Sequence, residues 1–327
     1  VVTEQMVSRL VVVKECCEQA MKLLAALHRQ DPSGMDIRLQ LAECHGNNVR
    51  MAWADGDREK ARSSQRAAIE ILDQLVAEFP GTPQLEFELA NILVLSAPPP
   101  GQVTGEYRIQ IARAVDLGDG LRTAHPNVPH YRALWADATS RLAALELRAG
   151  EPDQAGEHFS QAVDTQRQLV DEFPAVSAYR LAYVQSAQGL ADVKRLQKRL
   201  EESFELLMSV VDEVKPLAEA SDANPLFGSL LGPLYASLSK TAFELGDGEV
   251  GETARDDAEA WTPEVRADPP IAEQPDPPWW NEVPFDDLRP PPPHAAGPHF
   301  PGPHHDRPMR RHPMQRPGGP PRRRPPR

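Results

Sequence analysis

The chain has little of what catalytic or disulfide-stapled proteins carry. Three cysteines, Cys16, Cys17 and Cys44, are all that 327 residues contain. They give neither a disulfide framework nor a C-x-x-C spacing for metal, so they read as small apolar helix residues in a reducing compartment, which favours the cytoplasm. No apolar run approaches the roughly 18 residues of a membrane span, and no signal peptide opens the chain. It begins at Val1 rather than Met, which leaves open a membrane tether or further domain ahead of that residue. The phosphate loop G-x-x-x-x-G-K-[ST], the elbow G-x-S-x-G, the zinc pair H-E-x-x-H and the dinucleotide-type glycine loop are all missing. His28-Arg29-Gln30-Asp31 has the wrong spacing for a kinase catalytic loop. Cys16 precedes His28 by twelve residues, about 18 Å along a helix and too far for thiol activation. The expectation is a protein that uses no cofactor and catalyses nothing.

Basic charge is also scarce over most of the length. The formal net charge is −13, but residues 289–327 carry nine Arg against one Asp, and residues 244–288 carry fourteen acids against two Arg. The remaining body is acidic, which argues against nucleic acid lying along it, because phosphate binding needs clustered Lys and Arg. Composition changes abruptly near Trp261: of 34 prolines, 21 lie in residues 262–327. Few aliphatic residues remain there to offset the entropy of ordering the backbone. Two regions are therefore expected, a folded array over 1–258 and a disordered tail, acidic and then Pro/His/Arg-rich, over 259–327.

What the body does have is self-similarity. Residues 37–80 lie on residues 131–174 without a gap, pairing Arg38 with Arg132, Ala42 with Ala136, Gly56 with Gly150, Ala61 with Ala155 and Ala68 with Ala162. The match ends with Leu75-Val76-Ala77-Glu78-Phe79-Pro80 over Leu169-Val170-Asp171-Glu172-Phe173-Pro174. A third copy of the ending, at His125-Pro126, halves the period. Marker prolines at Pro32, Pro80, Pro126, Pro174 and Pro225 are then spaced 48, 46, 48 and 51 residues apart. Each closes one unit, because proline cannot continue a hydrogen-bonded helix and pushes its predecessor out of the α region.

Each unit reads as two helices. Ser33 or Thr82 can cap the first, whose apolar positions include Ile37, Leu41, Cys44, Val49 and Ala52. Gly56 and Gly150 supply the positive φ of a short turn, and Asp57 or Glu151 follows at a new helix N-terminus. The second helix buries a stripe at Ala68, Leu72, Leu75 and Phe79, with counterparts Ala162, Gln166, Leu169 and Phe173. Alanines at 61, 68, 155 and 162 let neighbouring helices approach closely. Such hairpins cannot bury their apolar faces alone and must stack, giving an all-α solenoid with a leading helix near 3–30 and a closing element near 226–258.

With Leu142-Ala143, Gly150, Ala155, Phe159 and Ala162 at the family's spacings, the array resembles tetratricopeptide repeats (TPR), lengthened beyond their usual 34 residues chiefly in the second helix. Ile37-Arg38-Leu39-Gln40-Leu41-Ala42-Glu43-Cys44-His45-Gly46-Asn47-Asn48 is similar to a variant in large bacterial proteins appended to Ser/Thr kinases or membrane-tethered regulators. The resemblance implies a TPR-like right-handed superhelix, a scaffold for protein or peptide partners, or alternatively the recognition arm of a larger signalling protein. By the same resemblance the first helices line the concave face, where Arg38, Asn47, Asn48, Arg50, Arg132 and Arg141 would grip a peptide backbone or carboxylate. The competing reading gives the asparagines to interhelical hydrogen bonds and the arginines to surface ion pairs of little energy.

Three tail features complete the candidates. Trp279, Trp280 and Phe285, set in an acidic proline-rich stretch, suit a linear motif that folds on a partner. His304 and His305 could catch a transition metal, against the entropy of closing a flexible site. The arginine runs near 310 and 322 could touch acidic protein, RNA or anionic membrane weakly.

Overall fold

The computed structural model describes residues 4–95, 105–220 and 225–262, and among them the regular structure is entirely helical. A leading helix α1 (Glu4–Gln30) precedes five hairpins: α2 (Met35–Ala54) with α3 (Arg58–Glu78), α4 (Pro83–Val94) with α5 (Gly105–Ala124), α6 (Pro129–Ala149) with α7 (Pro152–Glu172), α8 (Ser177–Leu196) with α9 (Leu200–Glu219), and α10 (Pro225–Leu245) with α11 (Gly248–Trp261). The array thus runs to Trp261, three residues past the expected limit, and Trp279, Trp280, Phe285, His304 and His305 lie outside the described residues. None of the described helices is long and apolar enough to cross a membrane.

Each helix packs on its neighbours in sequence. The first helices α2, α4, α6, α8 and α10 also pack on one another in series, whereas the described second helices share no comparable surface. The hairpins therefore stand in two layers, one of first helices packed on one another and one of second helices joined by ion pairs such as Arg113 with Asp73 and Arg167 with Glu213.

The prolines punctuate this array as expected, with one correction. Pro32, Pro80, Pro126 and Pro174 sit in the turns ahead of a first helix, but Pro225 is itself the first residue of α10. Its counterparts are Pro83 and Pro129, where the missing N–H costs nothing because the first turn has no acceptor for it. Counted from helix starts, the spacing is 48, 46, 48 and 48 residues. The extra length over the family's usual repeat is not confined to the second helix: α2, α6, α8 and α10 span 20 or 21 residues, as do α3, α5, α7 and α9.

Turn chemistry follows the sequence at the hairpin bends. Gly56, Gly150 and Gly246 take φ of 74°, 81° and 89°. The fourth bend has no glycine, and Lys198 is forced to φ 62° in its place. Asp57 caps α3 by accepting from the Lys60 N–H at 3.0 Å, and Asp247 caps α11 by accepting from Val250 at 3.2 Å. Ser33 and Thr82 do not cap. The Ser33 hydroxyl donates to Asp31 Oδ1 at 2.8 Å, and Thr82 flanks α4 without a side-chain bond.

The expected core stripe holds at Ala68, Leu72 and Leu75, and the close-approach alanine Ala61 is buried with it, all at most 1% exposed. Each such leucine contributes about 2 kcal/mol by leaving water. Phe79 departs from it at 38% exposure, because it is the C-cap, where the chain has already left helical geometry. Its counterpart Phe173 is half-buried, edge-on to Tyr179 at 6.1 Å. The apolar interior falls into two large clusters, one built from α2 to α6 and one from α7 to α11. Between them lie Thr139, Glu146, Gln166 and Ser186, all polar and at most 2% exposed.

Candidate partner-binding face

Arg38 and Arg132 occupy the same place in their hairpins and do the same thing there. The Arg38 guanidinium donates to both carboxylate oxygens of Glu78, at 2.6 and 2.9 Å. Arg132 repeats the fork with Glu172 at 2.8 Å for each bond. Both clamps tie the first turn of a first helix to the last turn of its own second helix. Each holds its carboxylate below the usual range, chiefly through the arginine hydrogen bond. Asn48 is buried with its amide towards Met21 of α1. These three side chains are thus engaged in holding helices together.

Asn47 and Arg50 of α2 are half-buried, as is Arg141 of α6. Asn47 and Arg141 fall on one position of the repeat. Arg141 Nε donates to Asp137 at 3.2 Å, one helical turn back. It also reaches Tyr107 of α5, whose phenol burial pushes up while Arg141 draws it down.

Arg141 borders a cleft of about 440 Å³ between the first helices α6 and α8. Asp137, Ser140, Arg141 and Arg148 come from α6, and Gln185, Gln188 and Asp192 from α8. Ala144, Ala182 and Gly189 leave the space open, and the Phe159 ring of α7 contributes to its lining. Ser186 donates to Ser140 at 2.8 Å across the two helices. Gln188 donates to the Pro233 carbonyl and to Ser237 Oγ, both at 3.2 Å, joining α8 to α10. Burial raises the Asp192 carboxyl above its ordinary value, opposed by Arg195, Lys240 and a hydrogen bond with Ser237. The cleft therefore offers both charge signs, amide and hydroxyl groups and one aromatic ring, a mixture suited to a peptide rather than to a single anion.

A wider cleft of about 640 Å³, lined by residues of α7 and α8 and by Arg199, is less available. Its Lys194 is held by Glu202 at 2.8 Å and its Gln197 by Asp153 at 2.9 Å. Among the described residues no group of three His, Cys, Asp or Glu side chains is placed to hold a metal ion. His45 and His130 are pushed down by burial, which keeps both uncharged at neutral pH.

Sequence reasoning reached Arg141 but missed Asp137, Gln185, Gln188 and Asp192. Asp137 was within reach, since a carboxylate four residues before an arginine shares its helix face. The residues of α8 required carrying the repeat position forward by 48, where the side chains themselves are not repeated.

No protein-family model matches the chain, and no curated protein matches it. Among solved structures, BtubC (BKLC) from P. vanneervenii is similar over 80% of this chain and 94% of its own, with 14% identity and a TM-score of 0.52. The TPR-like repeats of a kinesin light chain-type protein from Podosopora anserina match 68% of this chain and 95% of theirs, at 20% identity and a TM-score of 0.43. A tetratricopeptide repeat protein from Parabacteroides merdae matches 80% and 94%, at 11% identity and a TM-score of 0.38. The fold is a tetratricopeptide-like helical repeat.

Proposed function

We propose that this chain is a non-catalytic scaffold that holds an extended segment of a partner protein against its layer of first helices. The observation that supports the reading is the α6–α8 cleft, which Arg141, Gln185 and Asp192 line together with the Phe159 ring. Extended peptides present a backbone donor and acceptor at every residue, and mixed amide, hydroxyl and charged side chains can satisfy both. Asn47 and Arg50 extend the same polar character to α2. Arg38, Arg132 and Asn48 support the face by fixing helices and do not themselves contact the ligand.

The test is binding of a randomised peptide array to residues 1–327, compared with variants Arg141→Ala, Gln185→Ala and Asp192→Asn. Loss of captured peptides in these variants, with retention in a Glu157→Ala variant on the second-helix layer, is the expected pattern. Capture that ignores all three cleft substitutions overturns the assignment of the face.

A further inference from the structure

The end of α11 brings the chain close to the wall of the α6–α8 cleft. Its C-cap Thr262 packs on α10 at Gly232, where an added Cβ would stand 2.9 Å from the Thr262 Oγ1. The next residue of α10, Pro233, accepts the 3.2 Å hydrogen bond from Gln188, and Gln188 lines the cleft. About one helix diameter, ~10 Å, therefore separates Thr262 from that side of the cleft. Residues 263–276 then lead to Pro277, and a segment of that length reaches as far as about 45 Å.

The acids of the cleft are matched within the fold. Asp137 is engaged by Arg141 at 3.2 Å, and Asp192 by Arg195 at 3.8 Å and by Ser237. Arg148, exposed at the edge of the cleft, has no carboxylate at ion-pair distance among the described residues. The charge in excess is thus a cation, beside the Phe159 ring and the space left by Ala144, Ala182 and Gly189. Residues 277–288 carry the complement: Trp279, Trp280 and Phe285 among Glu282, Asp286 and Asp287, with no Lys or Arg. Pro277, Pro278 and Pro284 lower the entropy that an extended peptide loses on docking.

We infer that residues 277–288 dock in the α6–α8 cleft of their own chain, placing an aromatic side chain against Phe159 and their acids beside Arg148. This regulation, which rests on the peptide-binding reading of that cleft, obliges a partner peptide to displace the chain's own segment. A short tether holds the segment at about millimolar effective concentration. Against an intrinsic affinity on the order of tens of micromolar, that weakens an outside peptide by about tenfold or more.

Fluorescence anisotropy of a labelled synthetic peptide of residues 276–288, titrated with the full chain, tests this. The parent should bind it weakly, and a variant combining Trp279→Ala, Trp280→Ala and Phe285→Ala should bind it about tenfold more tightly or better. Adding Arg148→Glu to that variant should weaken the peptide by about fivefold or more, whereas Arg148→Lys preserves it; circular dichroism verifies that the helix content is unchanged. Equal affinity of parent and aromatic variant, or a gain that Arg148→Glu leaves intact, overturns the contact. So does a parent whose weak binding is relieved on dilution, because the segment then sits in a second copy. If parent and aromatic variant bind equally while randomised peptides still depend on Arg141, Gln185 and Asp192, only the contact within the chain falls. Capture indifferent to those three removes the cleft reading as well.

Discussion

Gly189 and Gly120 both lie inside helices, and replacing each with alanine should move stability in opposite directions. Alanine gains about 1 kcal/mol over glycine in a helix interior. At Gly120 of α5 an added Cβ meets nothing within 4 Å, so Gly120→Ala keeps the full gain. At Gly189 of α8 the same atom would lie 2.5 Å from Cε1 and Cζ of Phe159. Ordinary carbon contact begins near 3.5 Å, so the ring has to retreat by about 1 Å. Its neighbours Ala143, Ala155 and Val193 are fully buried, so it can give only towards the α6–α8 cleft. Overpacking of this kind costs about 1–3 kcal/mol, leaving Gly189→Ala neutral to about 2 kcal/mol destabilising after the helical gain. Urea unfolding followed by far-UV circular dichroism measures both. Trimming the ring with Phe159→Leu in the Gly189→Ala background should recover about 1 kcal/mol or more relative to additivity. If Gly189→Ala stabilises as much as Gly120→Ala, the close approach of α7 to α8 is wrong.

Further substitutions probe the repeat register and the turns. Ala155→Arg, at a fully buried position, places a charge and extra volume at a helix contact. It should cost about 3 kcal/mol or more, and unchanged thermal unfolding would defeat the alignment of the repeats. Lys198→Gly relieves the positive φ at the fourth bend and should stabilise by about 0.5–1 kcal/mol, although it also removes the exposed contact to Glu244 at 2.9 Å; a lower midpoint would show that this contact dominates. Glu202 is pulled down to about 2 from an ordinary 4.5 by Arg199 and then Lys194. A carboxylate whose folded value is depressed stabilises fully above its unfolded value and loses that contribution as pH falls through the folded one. The Glu202→Gln variant should therefore show a flatter decline in thermal midpoint between pH 4.5 and about 2, and an unchanged acid limb would remove Glu202 from the account.

The hairpin stack was legible because helix-breaking residues and alanines are dictated by backbone geometry, which every unit shares. Gly56, Gly150 and the turn prolines could be placed on that basis alone. Pro225 misled the count by three residues because a proline before a helix and a proline opening one look alike in sequence. Lys198 could not have been read, since nothing local to it demands positive φ; the bend is imposed by the hairpins on either side. The site was only partly legible for a related reason. Arg38 and Arg141 both lie on first helices, and only the distant Glu78 and the cleft beside α8 separate a clamp from a cleft-lining residue.

Thr139, Glu146, Gln166 and Ser186 interrupt the apolar interior where α6, α7 and α8 meet, and the small cluster of Ala143, Ala155, Phe159 and Val193 carries the apolar contact across that joint; in a linear array cooperativity passes only from neighbour to neighbour. Coupling between the two halves therefore runs through that small cluster and the polar contacts beside it. The α6–α8 cleft straddles the same joint. A ligand seated there would contact both halves at once, and its binding energy would also serve as coupling energy between them. Occupancy would then be visible far from the cleft, as a rise in the melting temperature of both halves together.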